Sequence, residues 1–215
     1  MESLAAPLSE NDGVRSFNEF YLAVTRALEV EFADDRFEDP AFFSRLAPIF
    51  SDLYFDAVDA DTARQAVSRV WAPLFERRFL DGIAPLQFAI AGMNAHINHD
   101  LALALVATTR ELGYDLDLDS AHHRDHLRVN ATLARVMGEV KRDTGTGIVA
   151  MVDHSLGTLA DGVANWSIQH ARDRAWTEAQ ALAALHDEPF RRDWCLVALA
   201  CVVGFASRTL LVRTG

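Results

Sequence analysis

The chain has 215 residues, half of them hydrophobic, with 20 Lys and Arg against 31 Asp and Glu for a net charge of -11. That length and apolar content suffice for one well-formed core, whereas the acidic balance repels phosphate backbones and argues against nucleic acid as a partner. No dinucleotide fingerprint, P-loop, Gly-x-Ser-x-Gly elbow, His-Glu-x-x-His or Cys-x-x-Cys motif occurs, and the Glu-x-x-His pairs of a carboxylate di-iron bundle are missing.

Apolar residues recur at spacings of three and four, with no sustained alternation and no Asn-Gly or Asp-Gly hairpin signal. The expected architecture is all-α: a single-domain bundle of about seven or eight helices over residues 14–215, preceded by a flexible segment 1–13. That segment is acidic and broken by Pro7 and Gly13, and no basic flank leads into an apolar run, so it does not read as a signal peptide. Cys195 and Cys201, six apart in one apolar segment, read as buried reduced thiols of a cytoplasmic protein.

In chain order, a first long helix is expected over Val14 to Phe32, with Phe17, Phe20, Tyr21, Val24, Leu28 and Phe32 as its inner stripe. Asp39-Pro40 is a helix start: the carboxylate caps free amides, and proline in the first turn costs no hydrogen bond. The helix that follows carries Phe42, Phe43, Leu46, Ile49, Phe50 and Tyr54 inward. After Asp61 a third is expected to present Ala66, Val70, Leu74 and Phe79, kinked or split at Pro73.

The fourth helix, about residues 84–112, has no charge between Asp81 and Arg110 except Asp100, so it should be the buried central helix, stopped by Gly113. Ser120 caps a fifth that reaches about Val140. Two further segments are expected over Ile148 to Arg174 and Thr177 to His186, and Pro189 opens the last apolar helix. The apolar stretches 83–109 and 194–212 read as core helices rather than membrane spans. The first has polar residues at its centre, and the second is interrupted at Ser207, Arg208 and Thr209, short of the ~20 residues a bilayer requires.

The most unusual feature is the polar cluster Asn94, His96, Asn98, His99 and Asp100 inside the central helix. Residues four apart share a face, which places His96 beside Asp100 and Asn94 beside Asn98. A buried carboxylate needs a partner, and an imidazole oriented by an aspartate is the usual arrangement of a general base or an oriented metal ligand. The competing reading is that these groups only fix helix register.

Other candidates are weaker. His122, His126 and Asn130 fall on one face of the fifth helix, where first-turn histidines read as solvated or capping. Asp153, Gly157, Asp161, Asn165 and Gln169 form a ladder that reads as a wetted face. His170, Arg172 and Trp176 are expected near a helix end, where positive charge suits the dipole.

The string Gly92-Met-Asn-Ala-His-Ile-Asn-His-Asp-Leu101 resembles the signature of a bacterial and fungal family, the domain-of-unknown-function family 5995. Phe37-Glu-Asp-Pro-Ala-Phe42, Asp125-His-Leu-Arg-Val-Asn130 and Ala171-Arg-Asp-Arg-Ala-Trp176 resemble its other recurring stretches in the same order. The resemblance implies no activity. It points to Asn94, His96, Asp100, Asn130 and the stretch Arg172 to Trp176, and this chain departs from the pattern at Ala102, where proline is expected. The buried His and Asp are more distantly similar to zinc-dependent phospholipases C, without a matching set of ligand motifs.

The leading functional reading is a cofactor-free small-molecule enzyme of cyclase, isomerase or hydrolase type acting on a hydrophobic, natural-product-like substrate. His96, Asp100 and Asn94 are its catalytic candidates, and Asn98, His99, Asn130, Arg172 and Trp176 its substrate-binding candidates. The first alternative is a zinc- or iron-dependent hydrolase with ligands from His96, His99, Asp100 and His126. The second is a non-enzymatic protein that binds a hydrophobic ligand or, through its aromatic helices, a partner such as a second copy.

Overall fold

The computed structural model describes residues 1–33, 36–143 and 168–213, and helices are the only regular elements among them. The elements are α1 (Glu2–Ala5), α2 (Gly13–Ala33), α3 (Pro40–Thr62), α4 (Ala72–Arg77), α5 (Pro85–Ala95), a π-helical turn (His96–Asp100), α6 (Leu101–Leu112), α7 (Ala121–Asp143), α8 (Ile168–Ala184) and α9 (Pro189–Leu210). With α5, the π turn and α6 counted as one rod, the described residues form eight helices, the rod among them, the all-α bundle expected.

Local signals set the helix ends. Asp39 Oδ1 accepts from Phe42 N at 3.1 Å, with Pro40 in the first turn of α3. Pro85 opens α5, where Gln87 Oε1 accepts from the Ala84 amide at 2.8 Å. Gly113 closes α6 in the left-handed region at φ 69°. Ser120 Oγ accepts from His123 N at the start of α7.

The core has two halves joined along the rod. Around α5, the inner faces of α2, α4 and α9 bury Phe17, Trp71, Leu74, Phe88, Met93 and Val203. Around α6, α3, α7 and α8 bury Phe42, Phe43, Leu101, Leu105, Val129 and Trp176. Two close approaches leave no room for a side chain: on the rod, a Cβ on Gly92 would meet the Phe17 ring at 2.3 Å, and on α9, one on Gly204 would meet the Arg69 carbonyl oxygen at 2.5 Å.

The segment 1–13, expected as a flexible lead-in, packs against the core through Met1, Leu4 and Leu8, and its last residue, Gly13, opens α2. The Met1 carbonyl accepts from Asn18 Nδ2, and buried Asp12 takes two hydrogen bonds from Arg78, which also pairs with Asp61.

Several boundaries differ from expectation. No helix starts directly after Asp61. Instead α3 runs to Thr62, and Pro73 sits in the first turn of the short α4 rather than kinking a long helix. Phe79 lies beyond α4 and is 72% exposed, where Arg78 covers its ring. The junction expected near Thr177 is absent because α8 runs from Ile168 through Ala184. His170 and Arg172 therefore lie near the beginning of a helix and not at its end. The expected helical stretch 148–167, with Asp153, Gly157, Asp161 and Asn165, lies outside the described residues; Gln169 at the start of α8 is exposed.

The last helix departs most. Read as a core helix, α9 buries only Leu199, Val203, Gly204 and Ser207, while Phe190, Trp194, Val197, Val202 and Phe205 are exposed. Cys195 and Cys201 are exposed as well, not buried. By length and composition α9 could cross a membrane, with a mean hydropathy of 1.5 over its best window. Only one stripe of it meets the rest of the bundle, at α4, α5 and the π turn.

Candidate active site at the π turn

The rod changes character at His96. The amide of Leu101 donates to the carbonyl of His96, a step of five residues, so the backbone widens to a π turn over the polar cluster itself. Asp100 collects three donors there: Nδ1 of His99 at 2.8 Å on Oδ1, and Nδ1 of His96 at 3.1 Å and Nε1 of Trp71 at 2.9 Å on Oδ2. Burial pushes the Asp100 carboxyl up, and the hydrogen bonds from His96 and His99 outweigh it, leaving the carboxyl below its ordinary range.

His96 is 3% exposed and stacks face to face on Phe50, with ring centroids 3.6 Å apart. Burial lowers its proton affinity against the opposing pull of Asp100. It is therefore a neutral imidazole whose Nδ1–H donates to the carboxylate, which leaves the Nε2 lone pair. That nitrogen is buried and has no hydrogen-bond partner among the described residues. An aspartate that fixes the tautomer and leaves Nε2 unengaged is the disposition of a general base.

His96 lines a cavity of about 460 Å³ between α2, α3 and the rod. The wall is mostly apolar: Phe20, Val24, Leu28, Phe43, Phe50 and Ile97 carry much of it, and Arg172 and Ile168 close it from α8. Glu29, Ser44 and Ala47 belong to the wall and are exposed, so the cavity reaches the surface there. Its volume lies within the range of small-molecule sites.

Residues 1–213 match the model of a family of unknown function (DUF5995). The chain belongs to that family. No curated protein and no solved structure matches it significantly. In this DUF5995 member the residues singled out in the sequence separate into three groups.

The first comprises His96, His99 and Asp100, joined at one carboxylate. The second is Asn94 and Asn98. Asn94 Nδ2 donates to the Val203 carbonyl and to Ser207 Oγ, and its Oδ1 accepts from Asn98. Neither asparagine lines the cavity, and Asn94 pins α5 to α9.

The third group joins α7 to α8. Arg172 Nε donates to Asn130 Oδ1 at 2.8 Å, and Nη2 donates to the His126 carbonyl at 2.9 Å and to His126 Nδ1 at 3.2 Å. His126 Nε2–H donates back to the Arg172 carbonyl at 3.2 Å. Burial and the Arg172 charge hold His126 well below its ordinary range, so it is neutral. The solvated histidines expected here are in fact interior: His122 and His126 are buried, and Trp176 packs against both rings. That helix face turns inward, against Trp176 and Arg172 of α8.

Among the described residues no group of three or more His, Cys, Asp and Glu could hold a metal ion. His126, one of the expected ligands, has both ring nitrogens engaged by Arg172, and a cation there would meet the guanidinium charge.

Sequence reading missed two participants. Trp71 comes from a loop preceding α4, and Phe50 from α3. Both are common core residues in sequence, and no local pattern marks them as neighbours of His96.

Proposed function

We propose that the protein is a cofactor-free enzyme that transfers a proton on a hydrophobic small molecule held in the cavity, with His96 as the base and Asp100 as the residue that orients it. The observation that carries this reading is the buried, unpartnered Nε2 of a histidine whose Nδ1 is fixed on a carboxylate at the wall of an apolar cavity. A substrate hydroxyl or acidic C–H delivered to Nε2 would satisfy the orphaned nitrogen, and the imidazolium formed would be stabilised by Asp100. The chemistry fits cyclisation, isomerisation or hydrolysis of a polyketide- or terpenoid-like compound, because the aromatic wall suits a rigid apolar body.

Incubating wild-type and His96→Gln protein with a fractionated extract of the source organism, read by liquid chromatography and mass spectrometry, tests this. The expected outcome is a compound consumed by the wild type and left intact by His96→Gln. A compound consumed equally by both would assign the chemistry elsewhere. One retained by both and converted by neither would make the protein a carrier of apolar ligands.

A further inference from the structure

Arg172 is 7% exposed and lies in the wall of an otherwise apolar cavity. Burial lowers its guanidinium to about 10, so the group stays charged at neutral pH. A buried cation ordinarily has a carboxylate beside it, since desolvation otherwise opposes its charge. Here the acceptors on Nε and Nη2 are all neutral: an asparagine carbonyl, a backbone carbonyl and a neutral imidazole. No carboxylate of the described residues lies within ion-pair distance, and Nη1 donates to none of them. The guanidinium is thus anchored on two corners by α7, its chain neighbour Asp173 favours its charge without forming an ion pair, and among the described residues nothing accepts from its third corner.

We infer that the occupant of the cavity is an amphipathic carboxylic acid whose carboxylate is received by Arg172 and whose apolar body lies along Phe20, Val24, Phe43 and Ile97 toward His96. One guanidinium balances one carboxylate, whereas a phosphate dianion would bring a second, unmatched charge into an apolar space. Arg172 would act as a positioning anchor: it fixes which carbon of the chain reaches Nε2 of His96. The inference rests on the cavity being the ligand site proposed above, and it adds the class of ligand.

Decanoate and decan-1-ol, alike in chain and different in charge, are the probes, titrated calorimetrically into the full chain at pH 8 below their aggregation limits. Decanoate is expected to bind wild-type protein at least tenfold more tightly than decanol. Arg172→Gln is expected to lose that preference and keep its affinity for decanol within threefold. Ala47→Trp, at an exposed wall position, is expected to weaken both ligands at least tenfold by filling the cavity.

Equal affinity for acid and alcohol in the wild type would overturn the carboxylate inference and leave the cavity standing as an apolar site. So would a preference that survives in Arg172→Gln. Binding unchanged in Ala47→Trp, or absent for both probes in the wild type, would overturn the ligand site itself along with the inference. Because Arg172 also ties α7 to α8, the acid-to-alcohol comparison in wild-type protein decides the matter even where Arg172→Gln does not fold.

Discussion

Trp71 and Asp100 meet across 29 residues of sequence: the indole Nε1 donates at 2.9 Å to Oδ2, the same oxygen that faces Nδ1 of His96. The indole is therefore a second restraint on the carboxylate that orients the histidine. Trp71→Phe removes the donor with modest loss of apolar volume and leaves a buried carboxylate oxygen one hydrogen bond short. It is expected to cost about 1–3 kcal/mol of stability, read as a lower urea midpoint with an unchanged denaturant slope.

Asp100→Asn tests the tautomer. The carboxylate accepts from Nδ1 of both His96 and His99, whereas an asparagine can present only one acceptor oxygen and an NH2 group. Imidazole ¹⁵N shifts of wild-type His96 are expected to show a protonated Nδ1 and a bare Nε2, and those of Asp100→Asn a mixture of both tautomers. By analogy with triads that lose the orienting aspartate, turnover of any substrate identified should fall by roughly 10²–10⁴. An unchanged His96 spectrum in the variant would sever the link between the two residues.

Asn94 separates structural from catalytic readings of the cluster. Its side chain donates to Val203 O and Ser207 Oγ, with no place in the cavity wall. Asn94→Leu should destabilise the fold by about 1–3 kcal/mol, in thermal or chemical unfolding, while binding of decanol in the cavity stays within threefold of wild type. A loss of ligand affinity without loss of stability would return Asn94 to the site.

The two buried histidines give stability a defined pH dependence. His96 and His126 both have folded-state proton affinities below the ordinary value of 6.5, so between that value and their lowered ones the unfolded chain binds more protons than the folded one. Their neutral forms thus contribute fully above about pH 6.5, and that contribution is lost as pH falls below it. The unfolding free energy should decline from pH 7 toward pH 5 with a limiting slope of up to about 2.7 kcal/mol per pH unit, two protons' worth. His126→Gln should roughly halve the part of the slope that these two residues supply, measured by urea midpoints across that range.

Gly204 makes a purely steric prediction. The nearest atom to a new Cβ would be the Arg69 carbonyl oxygen, which is backbone and cannot rotate away. Gly204→Ala should push α9 from the loop before α4 and cost about 1–3 kcal/mol, seen as a lower melting temperature.

The sequence by itself determined the helical class, the rod over 84–112, the caps at Asp39, Ser120 and Gly113, and the polar cluster, because these rest on short-range periodicity and hydrogen bonds within a few residues. His96 and Asp100 were legible together since four residues on one helix face fix their neighbourhood. The tertiary structure decided what the pair faces. Trp71, Phe50 and the guanidinium of Arg172 arrive from other elements. Burial of His122 and His126 and exposure of Cys195, Cys201 and Trp194 went against expectation for one reason. A helix's composition states how much of its surface could be buried, while the number of neighbours that reach it decides how much is; α9 has fewer than its apolar residues could cover.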